Sequence, residues 1–126
     1  MTKAQAIHDF FSSFALPAYD ESAVPTWTDD AQTVENAPPY ITYHFAVSDW
    51  KGEPVGVICN VWALSESWEF VDSKADEIGK RIGSFCTIRC DDGLIVVTKG
   101  SPFSQPYSDG PYKRAFINLT FTFITN

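Results

Sequence analysis

The order of the hydrophobic patterns predicts an α+β fold, a mainly antiparallel β-sheet packed against two α-helices. Two segments carry apolar residues at helical spacing, and six read as strands. Their order, α-β-β-β-α-β-β-β, lacks the repeated βα alternation of a parallel sheet. At 126 residues, 44% of them apolar, the chain is expected to fold as one domain spanning residues 1–126.

The first helix opens with Thr2 and Gln5, the spacing of a capping box. Ile7, Phe10, Phe11 and Phe14 then recur at i, i+3, i+4 and i+7, one apolar stripe over about three turns. Leu16-Pro17 ends it, and a short strand is expected between Ala18 and Val24. Residues 26–38 have little periodicity and several acids, and so predict an exposed, mobile loop, with Trp27 folded back on the body. In PYITYHFAV, Ile41, Tyr43, Phe45 and Val47 form a strongly apolar face opposite Tyr40, Thr42, His44 and Ala46.

After the turn at Asp49-Trp50-Lys51-Gly52 comes VGVICNVWAL, apolar on both faces, which predicts a central strand covered on both sides. Ser65 or Ser67 is positioned to cap the second helix, whose buried stripe is Trp68, Val71, Ala75, Ile78 and Ile82. Lys80 and Arg81 suit its C-terminal end, and Gly83 stops it. FCTIRC and LIVVTKG flank Asp91-Asp92-Gly93, a hairpin signal. The proline-marked segment 101–111 predicts a second long loop. The closing strand places Ala115, Ile117, Leu119, Phe121 and Phe123 toward the core, with Arg114, Phe116, Asn118, Thr120, Thr122 and Ile124 opposite.

The charge is acidic and uneven. The net value is −7, and residues 1–50 hold seven acids against Lys3 alone. Such a balance argues against a basic surface for nucleic acid or anionic lipid. No apolar run approaches the length of a membrane span, and no basic-then-apolar leader opens the sequence. A cytosolic setting with reduced thiols is therefore expected.

The residues offer little chemistry. Cys86 and Cys90 are spaced C-x3-C within a strand, where four residues span about 13 Å, too far to share one zinc ion or a disulfide. His8 and Asp9 are helical neighbours that point apart. His44 has no nucleophile at a recognisable spacing, although an enzymatic or ligand-binding use with Asn60 or Trp62 stays open. Asp91-Asp92-Gly93 is turn chemistry, and Asn118-Leu-Thr is a chance glycosylation match inside a strand. No phosphate loop, nucleophile elbow or HExxH occurs. The expectation is a non-enzymatic protein with no cofactor and no metal.

Taken in order, the amphipathic first helix, PPYITYHF, VICNVWA, SESWEFVDSKADEIGKRI and GSPFSQPYSDGPYKRAFINLTFTFI resemble the tail terminator, or tail completion, proteins of long-tailed bacteriophages. The likeness spans nearly the whole chain, and PYITY and KRAFINLTFTF carry most of it. It implies a tail-terminator-like α+β subunit of the virion that assembles as a homo-hexameric ring, made in the host cytoplasm and found at the head-proximal end of the tail. The ring would cap the tail tube protein, end tube polymerisation and join the head-completion or connector protein. DNA would pass through its centre without specific binding, and no membrane is involved. Another neck or head-completion subunit is the alternative within virion assembly. On this reading, Phe116, Asn118, Thr120 and Thr122 form a candidate subunit-contact face, and Asp29, Asp30 and Glu35 a candidate acidic channel loop. A negative wall would keep phosphates from sticking.

Overall fold

The computed structural model describes residues 1–21, 39–45, 54–64, 68–110 and 112–125. Helix α1 (Lys3–Ser12) precedes strands β1 (Ala18–Asp20), β2 (Tyr40–Phe45) and β3 (Val55–Leu64). Helix α2 (Glu69–Ile82) follows, then β4 (Cys86–Cys90), β5 (Gly93–Asp109) and β6 (Tyr112–Thr125). This is the element order expected from the sequence. The six strands form one sheet in the order β1-β2-β3-β6-β5-β4. Every pairing is antiparallel except β1 with β2, which runs parallel. The fold is α+β.

Thr2 caps α1 through the reciprocal capping box with Gln5. Ile7, Phe10, Phe11 and Phe14 are all buried, as their spacing requires. The helix ends at Ser12, and Ala15 then turns the chain with a left-handed φ of 63°. A β-carbon is crowded in that region, so Ala15 is strained where glycine would be relaxed. From Pro17 the chain enters β1, whose first bond to its neighbour runs from Ile41 N–H to the Pro17 carbonyl at 2.8 Å.

The sheet curls. Helix α1 touches β1 and β2 at one edge and β4 at the other. In a flat sheet those edge strands would lie about 24 Å apart, well beyond the reach of one helix. Phe11 stacks on Tyr43 at 4.8 Å and faces Phe121 at 6.3 Å, so one ring links β2 to β6. At the far edge the Met1 carbonyl accepts the Asp91 N–H at 2.8 Å, and the terminal amine pairs with the Asp91 carboxylate. Helix α2 covers β3, β6 and β5 with Val71, Ala75, Ile78 and Ile82. Lys74 joins the helices by donating to the Phe14 carbonyl at 2.9 Å.

Three expectations need correction. Strand β3 is central, between β2 and β6, yet only its Val57–Cys59–Val61–Ala63 face lies under the helices. Its other face is partly open: Ile58 and Trp62 are half-buried and Leu64 is exposed. The cap of α2 is Trp68, which makes no side-chain cap bond, while Ser65 and Ser67 lie outside the described residues. A negative first turn, Glu69 and Asp72, complements the helix dipole there instead.

The third correction concerns the expected loop at 101–111, most of which is strand. Strand β5 bulges where Gly100 to Phe103 stand against Asn118 alone, and pairing with β6 resumes from Ser104 to Asp109. The Ser101–Pro102 peptide bond within the bulge is cis. Asn118 Nδ2 holds the bulge by donating to the Pro102 carbonyl at 2.9 Å. A β-carbon on Gly100 would come within 2.8 Å of the Asn118 β-carbon, so the approach needs glycine. Prolines are tolerated because β4 pairs with β5 only from Gly93 to Val97, leaving the outer edge beyond without a strand among the described residues. Pro106, opposite Ala115, needs no N–H on that free edge.

Two substitutions test this account. Ala15→Gly relieves the left-handed strain, and urea unfolding should show a gain of ~0.5–1 kcal/mol after the entropy cost of glycine. Phe121→Ala should cost ~3–5 kcal/mol, and Phe121→Asp should leave no cooperative transition by circular dichroism.

Candidate interaction face

The helices occupy one face of the sheet, and the residues of interest lie on the other. Strand β6 sends Ala115, Ile117, Leu119, Phe121 and Phe123 into the core. Alternation therefore places Phe116, Asn118, Thr120 and Thr122 on the opposite face, all half-buried, with Ile124 exposed at the end. Register brings Asn60 opposite Phe116, Ile58 opposite Asn118 and Gly56 opposite Thr120. Gly56 leaves open space beside Thr120, since a β-carbon there would meet nothing within 4 Å.

One end of this open face is built around Arg114. Its guanidinium carbon lies 4.9 Å from the Tyr107 ring centre, 5.1 Å from Trp62 and 5.8 Å from Phe116. Tyr107 and Phe116 meet edge to face at 5.8 Å, as do Trp62 and Tyr112 at 6.2 Å. Register explains the convergence, because Trp62 on β3 and Tyr107 on β5 both stand opposite Arg114. Arg114 Nη1 donates to Asn60 Oδ1 at 3.3 Å, and Asn60 Nδ2 reaches Glu21 Oε1 at 3.4 Å. Trp62 Nε1 donates to Thr42 Oγ1 at 2.9 Å. Asn60 and Thr42 are buried on a face otherwise half open, so both polar groups need the bonds they make. Arg114 Nε is also buried, and it finds no hydrogen-bond partner among the described residues.

Sequence reading named Phe116 in this cluster but not Arg114, Trp62 or Tyr107 as a unit. Arg114 and Phe116 alternate with nothing that marks them. Tyr107 fell in the segment expected to be a loop, and only the β5–β6 register puts it beside Arg114. Asp29, Asp30 and Glu35 lie outside the described residues, as does Trp27.

The histidines and cysteines are placed as follows. His8 Nδ1 lies 3.0 Å from the Tyr43 hydroxyl and Nε2 lies 3.3 Å from Ser12 Oγ, which ties α1 to β2. His44 is exposed on the open face, where its register partner is Ile58; Asn60 and Trp62 are engaged by Arg114 and Thr42 instead. No group of three metal-ligating side chains occurs among the described residues. Cys86 and Cys90 stand at the two ends of β4. Burial holds the Cys59 thiol far above its ordinary range, and burial also raises Cys86, against the opposing pull of Arg81. Tyr40 and Tyr43 are raised as well, both chiefly by burial.

No family model matches the sequence, and no curated protein is significantly similar to it. Among the solved structures that match, one whose name states no function covers 97% of this chain and 90% of its own, with a TM-score of 0.64 at 13% identity. At that identity the likeness shows the fold alone.

These raised groups set a direction for pH dependence. Each holds its proton more tightly when folded, so the unfolded chain binds fewer protons once pH passes the ordinary values of 9.0 for Cys and 10.0 for Tyr. Stability should therefore be unaffected by these groups below about pH 9 and fall as pH rises beyond it. Urea midpoints across pH 7 to 11 measure this, and a rising midpoint above pH 10 contradicts it. In native protein a thiol reagent should label Cys86 and Cys90 but spare Cys59 until urea is added.

Proposed function

We propose that this protein is a structural subunit of a phage virion, a tail terminator that acts as a ring. Six copies would cap the last ring of tail tube protein, stop its polymerisation and present the surface that joins the head-completion or connector protein. DNA would pass through the centre without being bound. Nothing in this role requires a catalytic group or a cofactor.

The observation that carries the reading is the ordered resemblance of the chain to tail terminators, above all PYITY in β2 and KRAFINLTFTF in β6. The open sheet face supports it. Phe116, Asn118, Thr120 and Thr122 present a long, half-buried strip of threonine, amide and aromatic side chains that neither α1 nor α2 covers. Such a strip suits contact with a neighbouring subunit. The acidic balance suits a conduit, because a negative surface repels phosphate. Phe116 and Asn118 already serve the fold, through Tyr107 and the Pro102 carbonyl. Thr120, with open space beside it, is the better position for a pure contact test.

The direct experiment adds the protein to polymerising tail-tube protein of the same genome and measures tube lengths by negative-stain microscopy, with native mass spectrometry of the assemblies. Rings near six subunits at tube ends and a limited length distribution are expected. A protein that neither binds tube ends nor limits their length sinks the reading, and binding only to the portal-side connector would select a neck subunit instead. Thr120→Lys should keep the thermal midpoint within a few degrees while weakening the rings about tenfold or more. If that variant unfolds, the strip belongs to the core.

A further inference from the structure

We propose that Arg114 and its surrounding rings receive a carboxylate from the outer surface of α2 on a second copy of this chain. The open sheet face of one subunit then seats against the helical face of the next. This rests on the ring reading above and names the contact that would build the ring.

Arg114 is a cation held in place with no ion pair to a carboxylate among the described residues. Rings of Trp62, Tyr107 and Phe116 surround the guanidinium and take the place of water. Its hydrogen bond among the described residues is to a neutral acceptor, Asn60 Oδ1. The Glu21 carboxylate accepts from Asn60. Arg114 Nε is buried and has no hydrogen-bond partner among the described residues. A buried donor without an acceptor is costly, and a guanidinium flanked by aromatic rings is preorganised for a planar carboxylate. Arginine, tryptophan and tyrosine are also the side chains that dominate binding energy at protein contacts. Tyr107 is 42% exposed, so the cluster opens to solvent on the side away from the helices.

Charge complementarity points to a second copy. The chain carries a net −7, and Asp72 and Asp76 are exposed four residues apart on the outer surface of α2. Helix α2 and Arg114 lie on opposite faces of the same sheet. A contact between them joins two different surfaces, so each copy uses both once and a repeated rotation can close a ring.

The test uses full-length protein, alone and with tube protein, read by sedimentation velocity and native mass spectrometry. Arg114→Gln and the double variant Asp72→Asn with Asp76→Asn should each weaken ring formation at least tenfold while unfolding near the wild-type temperature. The surface pair keeps the test informative even where the Arg114 variant fails to fold. Arg114→Asp and the pair Asp72→Arg with Asp76→Arg should each fail alone, and an equimolar mixture should recover rings of alternating copies. Wild-type assembly by Arg114→Gln or by the aspartate pair overturns the inference and leaves the ring reading intact, as does a mixture that stays monomeric. If wild-type protein forms no rings and limits no tubes, the ring reading itself has failed.

Discussion

The fold depends on one helix being gripped by both edges of a six-stranded sheet. Helix α1 presents Ile7, Phe10 and Phe11 to the inside of the curl, with Phe14 just beyond its end, Tyr43 of β2 stacked on Phe11 and the β4–β5 turn bound to Met1. A sheet that curls so far has a concave side filled by helices and a convex side that they cannot reach. The two faces therefore have different fates. Core packing consumes the concave side chains, while several of the convex ones bond to one another across the strands. The alternation of β6 is the local expression of this division, with five apolar residues inward and a strip of threonine, asparagine and aromatics outward.

Much of this was legible in the sequence where short-range chemistry decides the structure. The capping box at Thr2 and Gln5, the Phe stripe, the Asp91-Asp92-Gly93 turn and the inward residues of β6 all follow from spacing within a few residues. What failed depended on long-range pairing. Residues 101–111 carry three prolines and look like a loop until β6 is placed beside them, leaving Pro106 on a free edge. Strand β3 has apolar residues on both faces, which suggests cover on both sides, yet among the described residues the helices lie on one face alone and Ile58 and Trp62 on the other are half-buried. The parallel pairing of β1 with β2 has no signature in so short a strand.

The Arg114 cluster illustrates the same limit for function. Each member is ordinary in its own segment, and the unit exists because β3, β5 and β6 share a register that aligns Trp62, Arg114 and Tyr107 across three strands. Asn60 is nearly as buried as the core, although it sits on the face the helices leave open. Its amide is bonded on both sides, accepting from Arg114 and donating to Glu21, as a buried polar group requires.

Beyond Val97 the outer edge of β5 has no partner strand among the described residues. A long exposed strand edge normally invites any other strand to add to it through backbone hydrogen bonds alone, with little regard for sequence. Here the bulge at Gly100 to Phe103 interrupts the edge, and Pro106 removes a donor from its middle. Indiscriminate strand addition is thus suppressed along the part of the sheet that projects beyond β4. Any contact made along this edge therefore has to be made by side chains, whose fit depends on sequence and charge.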